Sequence, residues 1–290
     1  PSMVMPLSFN KNFIFLIISD IRLFDALNLA MSIVSTGGFL PTNSLDQIIK
    51  NKTQEIFLII SMIIPFLNLF FFLNILNKNN LLLKHKEDIY LLFFILIFSL
   101  ILLFSIDTLT MYEILISVIS SMSNSGLAIT EVSKNITLYF LLLTTIGGSV
   151  ISLTSGIKFL RFYILLKTSA SEILKLVRPN NIAKKNILNS EKKINNLNIN
   201  TSFLIFISFF LSLFLLSGIL VFDNINFETS FKLSILTLTN TVNSDLFGIE
   251  KINFSNLLTS SKLSILFFMI IGKIELISLI LLIKNLIFKN

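Results

Sequence analysis

The sequence predicts an all-α membrane protein built from repeated units, and three observations carry that prediction. Of 290 residues, 54% are hydrophobic and 30 are Phe, while 13% are charged, about half the ~25% usual in soluble domains. Mean hydropathy is +0.86. So few charges cannot cover so much apolar surface against water, which makes lipid the solvent for much of the chain. Second, uncharged runs such as 56–77 and 203–222 are as long as a bilayer crossing, which takes about 20 helical residues. Third, a short pattern recurs at intervals of roughly 90–115 residues: an aromatic, a carboxylate, about three turns of apolar helix, then small hydroxyl or amide residues. Its copies are Phe24-Asp25 to Ser35-Thr36-Gly37-Gly38, Tyr112-Glu113 to Asn124-Ser125-Gly126, and Phe227-Glu228 to Asn240-Thr241-Val242.

Taken in order, residues 1–19 hold an apolar run, Phe13–Ile18, too brief to cross a bilayer and readable as the tail of a spanning helix. The segment 24–34 is the first short re-entrant helix, and Pro41, Asn43 and Ser44 mark the loop leaving it. A spanning helix is expected over 56–77, kinked at Pro65, whose missing N–H removes one backbone hydrogen bond. A basic loop follows, 78–88, with Lys78, Lys84, Lys86 and the single histidine, His85, read as a solvated loop residue. Residues 89–106 make the next span, and 112–123 the second short helix. The stretch 135–166 is apolar but interrupted by Gly147-Gly148-Ser149, Ser152 and Gly156. Non-helical backbone at membrane depth is tolerated only where it faces protein or a wet cavity. Lys158 and Arg161 close behind that break either face such a cavity or snorkel to the surface.

Residues 167–200 are polar and basic, a soluble connector placed in the cytoplasm by the positive-inside rule together with 78–88. A span at 203–222 and a short helix at 227–240 carrying Lys232 follow. The last helix, 262–288, contains Gly272-Lys273-Ile274-Glu275. Its two charges, two residues apart, do not face each other: one points to a pore, or both pair with neighbouring helices.

Adjacent small residues after a helix admit two readings. The plainer is a helix C-cap. The other is a cation filter: glycine lets the backbone aim carbonyls one way, carbonyl rings replace an ion's water, and the negative end of the preceding helix dipole favours a cation. Recurrence favours the second. Net charge is +7, but the basic residues sit in loops rather than in a nucleic-acid stripe. With no Cys and one His, the chain offers no disulfide, thiolate metal site or catalytic cluster, and an enzyme is not expected.

These residues resemble the TrkH/KtrB/HKT superfamily of potassium transporters, the TrkH branch most closely. That family arranges four M1–P–M2 units, each a spanning helix, a pore helix with filter loop and a second spanning helix, around one pseudo-fourfold pore. The resemblance implies a second unit over 1–77, a third over 78–166, the connector 167–200 and a fourth over 201–290. The first unit and most of the second unit's M1 are not accounted for, so a truncated sequence is expected. It assigns the filter to Ser35, Thr36, Gly37, Asn124, Ser125, Gly126, Asn240, Thr241 and Val242. An alternative alignment of the last loop on Asn243-Ser244-Asp245 keeps the spacing from Glu228 less well. It assigns the gate to Gly147, Gly148, Ser149, Ser152 and Gly156, and pore electrostatics to Lys158, Lys273 and Glu275. Ile151, Leu153 and Ser155 stand where the family prefers two glycines and a threonine, implying a stiffer gate. Val242 stands where it has a glycine; a β-branched residue does not readily take positive φ, so potassium-over-sodium selectivity is expected to suffer.

The function implied is potassium transport as the translocation subunit of a Trk-type uptake system, multi-pass in a bacterial inner membrane with filter loops periplasmic. No cofactor, a homodimer and a soluble nucleotide-binding regulatory subunit of the TrkA kind go with it. The alternatives are a less selective monovalent cation channel or symporter, and a secondary transporter with broken helices. The last would spread charges over several spans, yet 56–77, 89–106 and 203–222 contain none.

Overall fold

Short helices wedged between longer ones form the architecture. The computed structural model describes residues 4–42, 44–68, 70–71, 85–105, 109–129, 136–178, 186, 188, 194–242, 245–249 and 257–274. Within them run α1 (Val4–Ile18), α2 (Leu23–Ser35), α3 (Lys52–Phe66), α4 (Lys86–Ser105), α5 (Met111–Met122), α6 (Thr137–Ile146), α7 (Phe159–Val177), α8 (Asn196–Phe222), α9 (Phe227–Thr239) and α10 (Thr259–Ile274).

Their contacts divide into three similar groups. The short helix α2 packs between α1 and α3, α5 between α4 and α6, and α9 between α8 and α10. The groups join through α3 against α5 and α6 against α9. Each short helix has a carboxylate in its first turn, Asp25, Glu113 or Glu228, where the positive end of the helix dipole stabilises it. Glu113 also closes a capping box, accepting from the Thr110 backbone N–H at 2.7 Å.

Among the described residues, α4 and α8 are long and apolar enough to cross a bilayer. Both leave large side chains outside: Phe93, Leu96 and Phe104 on α4, Phe203, Leu211 and Phe214 on α8. The short helices α5 and α9 instead bury most of their length, α9 from Leu233 to Thr239 without interruption, and α2 is buried from Ser32 to Val34 near its end. Among the described residues the fold is thus three helical groups, each with a short helix between two others.

Several boundaries differ from those read in the sequence. The helix expected over 56–77 ends at Phe66, and of residues 67–77 those described are 67, 68, 70 and 71. The carbonyls of Pro65 and Phe66 accept from Leu153 N at 3.0 Å and Ser149 N at 2.9 Å, so this helix end is bonded to another segment. α7 runs to Val177, into the expected connector, because it is amphipathic: Ile164, Thr168 and Ser171 are buried, while Lys175 pairs with Glu172 outside. α8 begins at Asn196 rather than 203, its first turns carrying Thr201 and Ser202 hydroxyls bonded back to the Leu197 and Asn198 carbonyls. Residues 179–185, 187 and 189–193 of the connector, Lys78, Lys84, Asn43, Asn243, Ser244, Glu275 and the rest of the last helix lie outside the described residues.

Two glycines give opposite predictions. A Cβ at Gly272 of α10 would lie 2.0 Å from the Leu238 carbonyl oxygen, whereas at Gly218 of α8 it would meet nothing within 4 Å. Gly272→Ala is expected to destabilise the protein by about 1–3 kcal/mol, the usual cost of overpacking. Gly218→Ala should be neutral or stabilising by up to about 1 kcal/mol from helix propensity. Thermal unfolding in detergent reads both.

Candidate ion-coordinating site

The site begins with how α2, α5 and α9 end. Thr36, Asn124 and Asn240 take the left-handed conformation, with φ of 57°, 59° and 53°. Their N–H groups reach back three residues, to Ile33, Ser121 and Thr237 carbonyls at 3.1–3.2 Å. The next N–H reaches back five, Gly37 to Ser32, Ser125 to Ser120 and Thr241 to Leu236, at 2.9–3.1 Å. This is the same two-bond Schellman end three times over. It satisfies the loop N–H groups from the helix behind and leaves loop carbonyls to be used elsewhere. It also brings the negative ends of three helix dipoles to the loops.

The repeat fixes a register that differs by one residue in the first loop from the sequence expectation. The family resemblance sets Ser35-Thr36-Gly37 beside Asn124-Ser125-Gly126 and Asn240-Thr241-Val242. In the structure Thr36 is the left-handed residue, Gly37 does not have positive φ, and Gly38 takes φ of 66°. The matching triplets are therefore 36–38, 124–126 and 240–242. Gly38 pairs with Gly126, whose φ is 67°, and with Val242, which does not have positive φ.

The three loops meet. A Cβ on Gly38 would lie 1.8 Å from the Ser125 carbonyl oxygen and 2.5 Å from Val242 Cγ1. One on Gly126 would lie 2.8 Å from the Val242 carbonyl oxygen and 3.1 Å from Val242 Cγ1. Only glycine permits backbones from three units to approach so closely. Val242 projects its side chain toward both, so the third loop contributes a methyl where the other two contribute no side chain.

Side chains behind the loops tie them down. Asn124 Nδ2 donates to the Thr144 carbonyl on α6 at 3.1 Å and to Thr241 Oγ1 at 3.4 Å, linking two loops directly. Asn240 Nδ2 donates to the Met269 carbonyl on α10 at 2.9 Å. Each Asn thus secures its loop to the helix that follows in its own unit. Ser125 Oγ lies 3.2 Å from Ser120 Oγ and 3.0 Å from Ser123 Oγ, a hydroxyl cluster in the middle loop. The first loop differs, its left-handed residue being the β-branched Thr36, an uncommon conformation for that side chain. Thr36 Oγ1 donates to the Ser35 carbonyl at 2.6 Å and accepts from Lys273 Nζ at 2.9 Å. Lys273 Nζ also reaches the carbonyls of Ser35 and Leu153, both at 3.3 Å, and so joins α10 to the first loop and to the break between α6 and α7.

That break covers 147–158, as the glycine and serine run predicts. Gly147 and Gly156 take φ of 69° and 90°, and a Cβ on Gly148 would meet the Phe66 carbonyl oxygen at 2.5 Å. Ile157, Lys158 and Phe159 N–H groups bond to Thr145, Ile146 and Gly148 carbonyls at 2.9 Å, folding the loop onto the end of α6. Ser152 Oγ donates to the Ser149 carbonyl at 2.6 Å. Lys158 does not snorkel: it is 3% exposed, with Nζ on the Ser152 carbonyl, Ser152 Oγ and the Thr154 carbonyl inside its own loop. Burial requires such partners, and the loop's own oxygens supply them.

His85 is not solvated either. It is buried, 3.2 Å through Nδ1 from Asp88 Oδ2 and edge-on to Phe71, while Asp88 Oδ1 accepts from Asn68 N just past the end of α3. The sequence signal was a histidine and two acids opening an otherwise uncharged run. Among the described residues no group of three or more His, Asp or Glu gathers as a metal site.

Residues 115–287 match the family model of TrkH, described as a cation transport protein. An uncharacterised cation transporter of Methanocaldococcus jannaschii is 26% identical over 95% of this chain and 56% of its own length. The crystal structure of the potassium transporter TrkH from Vibrio parahaemolyticus superposes with a TM-score of 0.82 at 17% identity, over 94% of this chain and 61% of that one. The chain thus spans less than two thirds of either relative. Membership of a family of cation transport proteins carries a membrane location. The chain belongs to the TrkH family of cation transport proteins.

Proposed function

We propose that the full-length protein carries potassium, or monovalent cations with a weaker preference for it, through a filter to which this chain contributes three of four loops. The observation that carries this reading is the congruence of 36–38, 124–126 and 240–242: one left-handed first residue, one hydrogen-bond pattern, one meeting place. A cation approaching the loops is drawn by three negative helix ends. It exchanges water for main-chain oxygens whose own N–H groups are already satisfied, so the loops need little rearrangement to receive it. Val242 puts a hydrocarbon wall and a different backbone conformation in one quarter of the ring, which favours lower discrimination between potassium and sodium.

Gly147, Gly148, Ser149, Ser152 and Gly156 form the gate in this reading, a non-helical segment on the path between α6 and α7. Lys273, bonded to the first filter loop and to Leu153, couples filter and gate electrostatically, with Lys158 holding the gate's internal shape. The likeness to the family further supports a homodimer, a soluble nucleotide-binding regulatory subunit and a bacterial inner-membrane site. It also supports filter loops facing the periplasm and the basic segments 78–88 and 167–200 facing the cytoplasm.

Rubidium uptake by cells lacking their own potassium importers, using the full-length gene, tests the filter. Gly38→Ala should cut uptake about tenfold or more, since it forces strained backbone into a contact with no space. Gly37→Ala, at ordinary φ and close only to the Ser35 and Phe39 side chains, should stay within about threefold of wild type. Equal effects would remove the register, and unchanged uptake in Gly38→Ala would remove the filter. A separate competition assay addresses the wall: Val242→Gly should raise potassium preference over sodium, and an unaltered ratio would contradict its assignment.

A further inference from the structure

The start of α4 holds buried charge that the filter does not use. Glu87 Oε1 accepts from Val150 N at 2.8 Å, across from one helix to the middle of the 147–158 loop. Asp88 Oδ1 accepts from Asn68 N at 2.9 Å, just past the end of α3, while its Oδ2 faces His85. The same end of α3 accepts the Ser149 and Leu153 N–H groups through Phe66 and Pro65. Loop, α3 end and α4 start are therefore closed into one hydrogen-bonded junction.

Val150 lies in non-helical backbone, and its N–H must find an acceptor within the protein. Glu87 supplies it from a different helix, so one side chain ties the middle of the loop to the start of α4.

We infer that Glu87 is a positioning residue that clamps the 147–158 loop in the arrangement described here, through its bond to the Val150 N–H. The His85–Asp88 pair fixes the α3 end to which the same loop is bonded. This rests on the reading of that loop as the gate.

The test uses the full-length protein with a single cysteine at Ile151, which is 44% exposed on the loop, and any cysteine outside this chain replaced. Two quantities are read: the rate of thiol modification at that cysteine, and rubidium flux. Glu87→Leu, which loses the acceptor, should raise both by about fivefold or more, the size of one hydrogen bond whose donor is left unpaired. Glu87→Ala should act alike, and Glu87→Gln, which keeps an acceptor, should stay nearer wild type. Thr201→Ala, at the exposed start of α8, controls for stability and should move neither quantity. Wild-type modification rates in Glu87→Leu and Glu87→Ala alike would overturn the clamp. If Glu87→Leu fails to fold, Glu87→Ala decides. Absence of rubidium flux in the wild type would instead count against the transport reading, with the modification rates still deciding the clamp.

Discussion

Backbone that leaves the helix inside a membrane must find its hydrogen-bond partners within the protein. That constraint organises this chain. Among the described residues it is met at the three turns after α2, α5 and α9 and in the 147–158 loop. In the turns the N–H groups fold back onto the helix just ended, which spends the donors locally and leaves acceptors over. In the long loop the donors go outward, to the carbonyls freed where α3 stops and to the Glu87 carboxylate. The turns become acceptor-rich and mutually close, while the loop becomes a plug stitched to its surroundings.

The stitching explains features that look costly in isolation. Pro65 sits near the end of an apolar helix and α3 stops one residue later, but its carbonyl and that of Phe66 are what the loop binds. Lys158 at positive φ and nearly full burial folds its own loop around its ammonium group. Thr36 occupies a conformation unusual for a β-branched residue, and the hydroxyl that makes it polar is where Lys273 arrives. Strained or buried polar positions of this kind gather where structure over-determines them. Here each is tied to the 147–158 break: Pro65 and Lys158 by direct bonds, Thr36 through Lys273.

How much of this the sequence discloses follows from the range of the physics involved. The short helices 23–35, 111–122 and 227–239 are legible because carboxylate, apolar turns and small residues are local signals. So is the break at 147–158, since glycine and serine clusters unwind helices by their own chemistry. The one-residue register of the first loop is not legible from its residues alone: a Gly-Gly pair invites placing positive φ on the first glycine, and only the hydrogen bonds to Ile33 and Ser32 move it to Thr36 and Gly38. The end of the helix at Phe66 depends on a loop eighty residues away in sequence, within roughly the span that separates the repeated units. Composition cannot reveal that. His85 likewise looks solvated among lysines, and its burial follows from packing under Phe71.

The central claim is that main-chain oxygens from three units face one axis and replace a cation's water. Diffraction from the full-length protein grown with thallium, recorded at wavelengths where that ion scatters anomalously, tests it most directly. The account predicts anomalous density on the axis bounded by residues 36–38, 124–126 and 240–242. Density confined to other parts of the membrane domain, with none at these loops, would contradict it.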